Sequence, residues 1–434
     1  MYEVFGGFAV LPGGVKRNIS LAIEKDRIAD IGSSEAMRKK YKFSDSVGSE
    51  DSVICPGFID THMHSFQIAT RGLTSDKSLL DWLKRYIWRW EGAMTKEQAR
   101  ACAELAYLEL LKSGVTTVVD YTSVRHTSEA FRAAERLGLR GNIGKTMMDR
   151  NSPSELLENT DQSLRETESL IRKWHGKDGG RLRYNITPRF GITCTDELLL
   201  GCKELMEKYD VLFTTHASES PGEVKADRKN YGMSAIRHFD RLGLLGKRTL
   251  LAHCVWVDDK EITLLARRKT GVAHCPGSNM MLASGCAPVG RMLDAGIPVG
   301  LGSDMGAYYN MSAFDQMRLS VLIQKVTKLD PLALDHRRAF WMATEGGAKA
   351  LGLEKETGTL AKGKKADITI IAGNGSAFSP TNDIVAQVAF CASPQDVRTV
   401  ICDGKLLMRD GRVLTADEER IMERATGLLS VRFH

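Results

Sequence analysis

The middle of this 434-residue chain alternates short segments that are almost entirely apolar with longer segments that are typical of helices. Strands that are apolar throughout indicate a parallel sheet with helices on both faces, and repeated strand–helix units build such a sheet. The region from about 56 to 360 has the length of a (β/α)8 barrel, although a doubly wound sheet would show the same alternation. We therefore predict an α/β fold, with strands at 115–120, 211–216, 249–253, 271–275 and 297–304.

The two ends of the chain share a different pattern. Residues 19–23 and 27–32 predict a pair of strands, and residues 367–371, 397–402 and 405–408 predict strands near the other end, the last two joined by an Asp403-Gly404 turn. Because the ends resemble each other and not the middle, we expect residues 1–55 and 361–434 to form one small β domain. The main domain, residues 56–360, would then be inserted between them.

Polar side chains stand where the predicted strands of the middle region end. In a barrel these ends converge on one face, where active sites form, so residues arriving from several strands predict a single site. The residues in question are His62, His64, His216, His253, His274 and Asp304.

A metal site is the first chemical expectation from this set. His62 and His64 are two residues apart, so on a strand both side chains point the same way and reach one ion. With His216 and Asp304 they give three nitrogen ligands and one oxygen ligand, a set that suits one divalent zinc ion and would also tolerate iron. A metal of this kind lowers the pKa of a bound water from 15.7 to about 7.

Proton transfer needs further groups. Glu219 follows His216 by three residues and could act on both the water and a ring nitrogen of a substrate, although it could also simply cap the next helix. His253 could orient the attacking water, with Asp304 sharing in proton transfer. His274 precedes a Pro276-Gly277 loop and is as well explained by a structural hydrogen bond as by a substrate contact. The remaining histidines are interpreted as surface or packing residues: His126, His175, His238, His336 and His434.

Composition excludes several classes of protein. Apolar residues make up 43% of the sequence and charged residues 26%, as in ordinary globular proteins, and the net charge of +6 is spread along the chain rather than gathered into a nucleic-acid-binding stripe. No stretch approaches the roughly 20 apolar residues of a membrane span, and signal-peptide features are missing at the N-terminus. The nine cysteines include no C-x-x-C pair. We expect a soluble, cytoplasmic protein that binds neither nucleic acid nor membranes.

Five stretches together resemble the amidohydrolase superfamily, and the similarity covers essentially the whole chain. The resemblance implies a distorted (β/α)8 barrel, a flanking β-sandwich built from both termini, and hydrolysis by metal-activated water. Two-metal members carry a bridging lysine at the fourth strand, and residues 185–190 (NITPRF) hold none, so the resemblance implies one metal. The stretches are 56–64 (PGFIDTHMH), 216–219 (HASE), 251–254 (LAHC), 300–304 (GLGSD) and 358–367 (GTLAKGKKAD).

Within that superfamily the His-x-x-Glu arrangement resembles the deaminases of nitrogen heterocycles. Gln67 and Arg189, the latter in 187–190 (TPRF), are similar to the residues that contact the purine in guanine deaminases. An arginine donates to a carbonyl oxygen, and an amide side chain both donates and accepts. The resemblance therefore implies a hydrolase of cyclic amidines that releases ammonia from guanine or a related purine.

Other features resemble the deaminases of methylthioadenosine and S-adenosylhomocysteine. Glu91 matches a position that holds ribose hydroxyls there, whereas those enzymes carry a histidine where this chain has Arg189. Trp82, Trp88 and Trp90 could belong to a lid that stacks on a flat ring or to core packing, with Trp88 the expected substrate contact, and His274 could be a second one. Adenosine-type compounds, triazines and a metal-free binding role remain alternatives, and relatives of this kind lead us to expect a homodimer or larger homo-oligomer.

Overall fold

The structure is a computed structural model that describes residues 1–73, 76–306 and 310–430. Its strands are, in chain order, β1 (Tyr2–Leu11), β2 (Gly14–Glu24), β3 (Arg27–Ser33), β4 (Ser46–Pro56), β5 (Phe58–His64), β6 (Val115–Tyr121), β7 (Arg140–Gly144), β8 (Thr146–Met147), β9 (Leu182–Pro188), β10 (Leu212–Ala217), β11 (Thr249–His253), β12 (Gly271–His274), β13 (Val299–Leu301), β14 (Asp304–Met305), β15 (Ile368–Ile371), β16 (Val397–Cys402), β17 (Lys405–Arg409) and β18 (Arg412–Val413).

Helices lie mainly between the strands of the middle region. Among the described residues, none of them is long and apolar enough to cross a membrane. The α-helices are Ser34–Lys40, Leu79–Trp82, Trp88–Ala93, Lys96–Lys112, Thr127–Leu137, Thr160–Trp174, Lys177–Gly180, Asp196–Tyr209, Pro221–Tyr231, Ala235–Arg241, Asp259–Arg268, Pro276–Met281, Val289–Asp294, Ala313–Lys328, His336–Trp341, Gly347–Ala350, Ile384–Phe390 and Glu418–Leu428. Short 3₁₀ segments lie at Ser65–Thr70, Gly191–Thr193, Ser376–Phe378 and Pro394–Asp396, and π-helical turns at Leu83–Ile87 and Met342–Gly346.

The middle region closes into a barrel with eight parallel strand positions, two of which are each formed by two short consecutive strands. Seven are β5, β6, β7 continued by β8, β9, β10, β11 and β12, and the eighth is β13 continued by β14. The ring closes because β13 pairs with β5, Leu301 opposite Asp60, and β9 pairs with β10, Asn185 opposite Leu212. Register shifts between β5 and β6 distort the barrel beside the predicted metal ligands. The predicted (β/α)8 architecture is confirmed.

The β domain expected from both termini is one continuous hydrogen-bonded sheet in the order β18-β17-β16-β15-β4-β1-β2-β3. Strand β4 joins its two halves, since it pairs parallel with β1 and antiparallel with β15. Buried residues from both halves, among them Val4, Ile54 and Ile368, form one apolar cluster. The exact division of the chain at residues 55 and 360 stays a prediction.

Candidate metal centre and active site

Five of the predicted rim residues come together at the carboxyl end of the barrel. His62 and His64 end β5, His216 lies in β10, His253 ends β11 and Asp304 begins β14, and all five are buried. Asp304 Oδ1 lies 3.2 Å from His62 Nε2 and 3.4 Å from His64 Nε2. Donor atoms of His62, His216, His253 and Asp304 lie within 4.8 Å of one another.

Backbone carbonyls fix two of the imidazole rings. The carbonyl of Tyr121 accepts from His64 Nδ1 at 3.0 Å, and the carbonyl of Arg189 accepts from His216 Nδ1 at 2.6 Å. Each Nδ1 therefore carries the proton, and each Nε2 presents a lone pair. The two Nε2 atoms lie 3.1 Å apart, which is unfavourable for two lone pairs but close to the roughly 3.3 Å that separates two tetrahedral nitrogen ligands of zinc. The donor set thus fits a divalent metal.

The charge states of His64, His216 and Asp304 also fit a divalent metal. Burial, together with the charge of His62, lowers the pKa of both His64 and His216 well below the usual value, so both rings are neutral, as ligands must be. Burial alone would raise the pKa of Asp304. The hydrogen bond from His62 and the nearby imidazoles outweigh that effect, so the pKa of Asp304 falls well below its usual value and the carboxylate is ionised.

His253 and Glu219 form a second pair in the same site. The Asn279 side-chain amide donates to His253 Nδ1 at 3.0 Å, so the proton of this ring stands on Nε2, 3.5 Å from Glu219 Oε2. Burial lowers the pKa of His253 to about 4. Burial, followed by the negative charges of Asp304 and Glu223, raises the pKa of Glu219 well above its usual value. A buried carboxyl group that gains a proton so readily can act as a general acid.

Glu223 is a residue that sequence reasoning missed. Its buried carboxylate accepts from the backbone N–H groups of Ser218 at 3.0 Å and Glu219 at 2.7 Å. It thereby fixes the segment that carries Glu219 on the first turn of helix Pro221–Tyr231. Ser220 caps this helix and Pro221 is its first residue, so the sequence S-P-x-E was the available signal.

The backbone is strained where these strands end. Ser218, His253 and Asp304 have φ angles of +54°, +73° and +60°, in the left-handed region that residues with a Cβ rarely adopt. Such conformations cost on the order of 1–3 kcal/mol each and concentrate at functional sites. The clustering of three at one rim supports a functional role for that rim.

A polar wall of three side chains, Gln67, Glu91 and Arg189, lies beside the metal ligands. Arg189 Nη1 donates to Glu91 Oε2 at 2.6 Å and Arg189 Nη2 donates to Glu91 Oε1 at 3.3 Å, and both side chains are 1% exposed. Gln67 Nε2 donates to the same Glu91 Oε1 at 3.2 Å. Among the described residues, Gln67 Oε1 and Arg189 Nε have no partner. The wall therefore leaves one acceptor and one donor for a ligand.

The cavity at this rim is small. It measures about 10 Å³, room for about one water, and apolar side chains cover it. Of the three tryptophans considered for a lid, Trp82 contributes to the lining, whereas Trp88, the expected substrate contact, does not. Trp88 is buried in the cluster that supports this cover, and His274 is buried at the end of β12, outside the lining. The lining residues are His64, Gln67, Leu79, Trp82, Leu83, Arg189, Phe190, His216, Glu219, His253, Leu282 and Asp304.

Two smaller expectations also meet the structure. The segment after His274 was expected to be a loop, but Pro276 starts helix Pro276–Met281, because proline is favoured in a first turn. This helix carries Asn279, the partner of His253. His238 has a packing role, as predicted, since it bonds Asp196 at 2.8 Å and stacks on Tyr231. His434 lies outside the described residues.

Comparison with known proteins assigns the chain to a family. The model of the amidohydrolase family matches residues 53–407, which include the barrel and every residue of the site above. The chain belongs to the amidohydrolase family. This amidohydrolase is accordingly a hydrolase that acts on carbon–nitrogen bonds, as its resemblance predicted.

Relatives at the level of sequence and of structure carry deaminase names. This amidohydrolase is 37% identical over 415 residues to the 5'-deoxyadenosine deaminase of Methanothermobacter thermautotrophicus, covering 95% of this chain and 94% of the relative. It is 36% identical over 407 residues to the 5-methylthioadenosine/S-adenosylhomocysteine deaminase of Desulforudis audaxviator, covering 93% of each chain. The structure of guanine deaminase from E. coli superposes with a TM-score of 0.88 at 27% identity, over 94% of this chain and 100% of that one.

Proposed function

We propose that this amidohydrolase is a metal-dependent hydrolytic deaminase of a purine, and that guanine or a close analogue is its substrate. The observation that carries the proposal is the polar wall: Gln67 and Arg189 line the cavity together with Glu219, and Glu91, which is not part of the lining, accepts hydrogen bonds from both. A site of this composition can hold a flat polar ring and transfer protons to it.

The two unpartnered atoms of the wall suggest which edge of the ring is bound. Arg189 Nε is a donor and Gln67 Oε1 is an acceptor, both buried. A ring edge with a carbonyl oxygen beside an N–H satisfies both, and guanine has such an edge whereas adenine does not. Because a buried polar group without a partner costs about 1–3 kcal/mol, this pairing favours guanine over ligands that cannot make it.

We assign the metal to His62, His64, His216 and Asp304. His64 is preferred to His253 as the third nitrogen ligand because its Nε2 presents a lone pair, whereas His253 Nε2 carries a proton. Three imidazoles and one carboxylate suit zinc best, and iron would also be held. When bound, the metal supplies the acidity that makes water a nucleophile at neutral pH.

The protein side chains then move the protons. Glu219, whose raised pKa keeps a proton within reach, protonates a ring nitrogen and so makes the amino-bearing carbon more electrophilic. His253 Nε2 donates to the attacking oxygen, and Asp304 accepts the proton that the water gives up. Once the oxygen of water has added to the carbon, the carboxylate of Glu219 takes the remaining proton of the added hydroxyl group and passes it to the amino group. The carbon–nitrogen bond breaks as the carbonyl group forms, ammonia leaves, and the proton held by Asp304 returns to Glu219.

Substrate entry requires the cover of the cavity to open, because about 10 Å³ cannot hold a purine. The cover includes Leu79, Trp82 and Leu83, which lie in or next to the π-helical turn Leu83–Ile87. Turns of this type are rare and often occur at functional sites. We propose that this segment is the lid and that Trp82 packs on the bound ring.

Adenosine-type compounds are the second candidate. The observation in their favour is that both curated relatives above are named for such substrates. Glu91 would then hold ribose hydroxyls, and to do so its carboxylate would have to release the bonds it makes with Arg189 and Gln67. Breaking a buried ion pair is costly, so the closed arrangement favours the free base.

Ammonia release from a substrate panel tests the proposal. We would incubate the zinc-loaded protein with guanine, 8-oxoguanine, isoguanine, cytosine, adenosine, methylthioadenosine and S-adenosylhomocysteine. Fast release from guanine supports the polar wall as the purine-binding surface. Release from the nucleosides alone would replace guanine by the second candidate. A protein that binds no metal would point to the non-enzymatic alternative. If metal is bound but no compound of the panel releases ammonia, triazines or other heterocycles become the expected substrates.

Two further expectations stand as proposals beside the activity. The described cysteines form no disulfide, which is in keeping with a reduced, cytoplasmic setting. A homodimer or larger homo-oligomer is the assembly we expect, and sedimentation of the purified chain would measure it.

A further inference from the structure

A cavity lined by arginines shares no lining residue with the cavity of the active site. It measures about 300 Å³ and is formed by helices Lys96–Lys112, Thr127–Leu137 and Glu418–Leu428. Four of its seven lining residues are arginines. The lining residues are Arg100, Arg136, Ala416, Asp417, Arg420, Ile421 and Arg424.

Three of these arginines share one buried carboxylate. Arg100 Nε donates to Glu104 Oε1 at 3.0 Å, and Arg136 and Arg424 also bind the Glu104 carboxylate. Glu104 has only 1% of its side chain exposed, whereas Arg100 and Arg136 have about 40%. The buried carboxylate thus fixes the three guanidinium groups, each of which has five N–H donors and keeps some of them for a ligand in the cavity.

The charges around the cavity do not balance. Four guanidinium groups face two carboxylates, those of Glu104 and Asp417, so a surplus of two positive charges remains. Arg420 makes no side-chain hydrogen bond or ion pair with any residue in the described part of the chain. A group of arginines with surplus positive charge in a concave site attracts anions, and their planar guanidinium groups bind phosphate oxygens in pairs.

We propose that this arginine cavity, defined by Arg100, Arg136, Arg420 and Arg424, is a binding site for a small phosphate-bearing anion. The surplus charge favours a ligand with at least two negative charges, and the volume is at the small end of the range for ligand pockets. Inorganic pyrophosphate and a sugar phosphate share this chemistry. The site is separate from the proposed deamination and does not depend on it.

Titration calorimetry of the metal-loaded protein with pyrophosphate, and separately with ribose 5-phosphate, tests the proposal at constant ionic strength. We expect saturable binding of one of them per chain. Arg420→Gln should weaken it at least about tenfold, because a charge-assisted bidentate contact is lost. Arg165→Gln, which changes an exposed arginine on helix Thr160–Trp174, is the matched control and should change the affinity less than about twofold.

The results distinguish an inorganic anion from an organic phosphate, and a loss of binding from a loss of folding. Tighter binding of pyrophosphate identifies an inorganic anion, and tighter binding of ribose 5-phosphate identifies an organic phosphate. Because Arg420 has no partner in the described chain, its variant should melt at the temperature of the unchanged protein, so a lost affinity cannot be ascribed to unfolding. No saturable heat with either ligand, or equal weakening in Arg165→Gln, would overturn the proposal.

Discussion

Two parts of the active site differ in what orients their side chains. We call the proposed metal ligands the metal side, and the polar wall of Gln67, Glu91 and Arg189 the substrate side. On the metal side, His64 and His216 are oriented by backbone carbonyls of Tyr121 and Arg189. On the substrate side, Arg189 is oriented by another side chain, the carboxylate of Glu91. Backbone carbonyls persist through most substitutions, whereas a side-chain ion pair is lost by changing one residue. The metal side is therefore expected to tolerate change around it, while the substrate side can acquire a new specificity through single substitutions.

Replacement of Glu219 should have the largest effect, because Glu219 acts between the two sides. Glu219→Gln keeps the shape but cannot donate and regain the proton, so we expect turnover to fall about a thousandfold. Metal content, measured by atomic absorption, should not change, since Glu219 is not a proposed ligand. A variant that deaminates at near the original rate would exclude the role proposed for Glu219.

Replacement of Glu91 should separate the two sides most clearly. Glu91→Gln leaves the buried Arg189 without its counter-charge, which is expected to lower the free energy of unfolding by about 3–5 kcal/mol. Denaturant unfolding measures this loss, and Glu35→Gln, at an exposed pair with Lys39, serves as the control with little effect. The metal should still bind with full stoichiometry. Loss of the metal together with stability would show that the two sides are not independent.

Replacement of Glu223 should change the rate without changing binding. Glu223→Gln places an amide N–H group against a backbone N–H of Ser218 or Glu219, so Glu219 is less well positioned. We expect kcat to fall about tenfold with KM and metal content unchanged, as for a misplaced proton donor. Glu223→Asp, which restores the charge but shortens the reach, is the comparison. An unaltered kcat in Glu223→Gln would remove Glu223 from the positioning of the site.

The smallest effect concerns stability and pH. Burial, and then the charge of Glu223, raises the pKa of Asp227 to about 8. Between about pH 4 and pH 8 the unfolded chain has lost this proton while the folded chain keeps it, so the group lowers stability as pH rises. Asp227→Asn should be more stable than the unchanged protein by about 1–3 kcal/mol at pH 8, and the difference should vanish below pH 4. A difference that is the same at both pH values would contradict this origin.

Much of this arrangement follows from the sequence, for a physical reason. Strand ends in a barrel share one rim, so the positions of His62, His64, His216, His253 and Asp304 could be predicted from periodicity alone. Contacts between side chains on different strands could not. Nothing in the spacing of Glu91 and Arg189 shows that they form an ion pair, and Asn279 becomes the partner of His253 through a helix that was expected to be a loop.

Strand β4 has a consequence for how the chain is made. It lies in the middle of the eight-stranded sheet, with β1 on one side and β15 on the other. During synthesis β1 and β4 leave the ribosome early, but β15 follows only after the whole barrel, more than 300 residues later. Throughout that interval the second edge of β4, which includes Val53 and Ile54, is an open strand edge, and such edges favour pairing with other chains. Chains that stall before β15 are therefore the ones most exposed to aggregation.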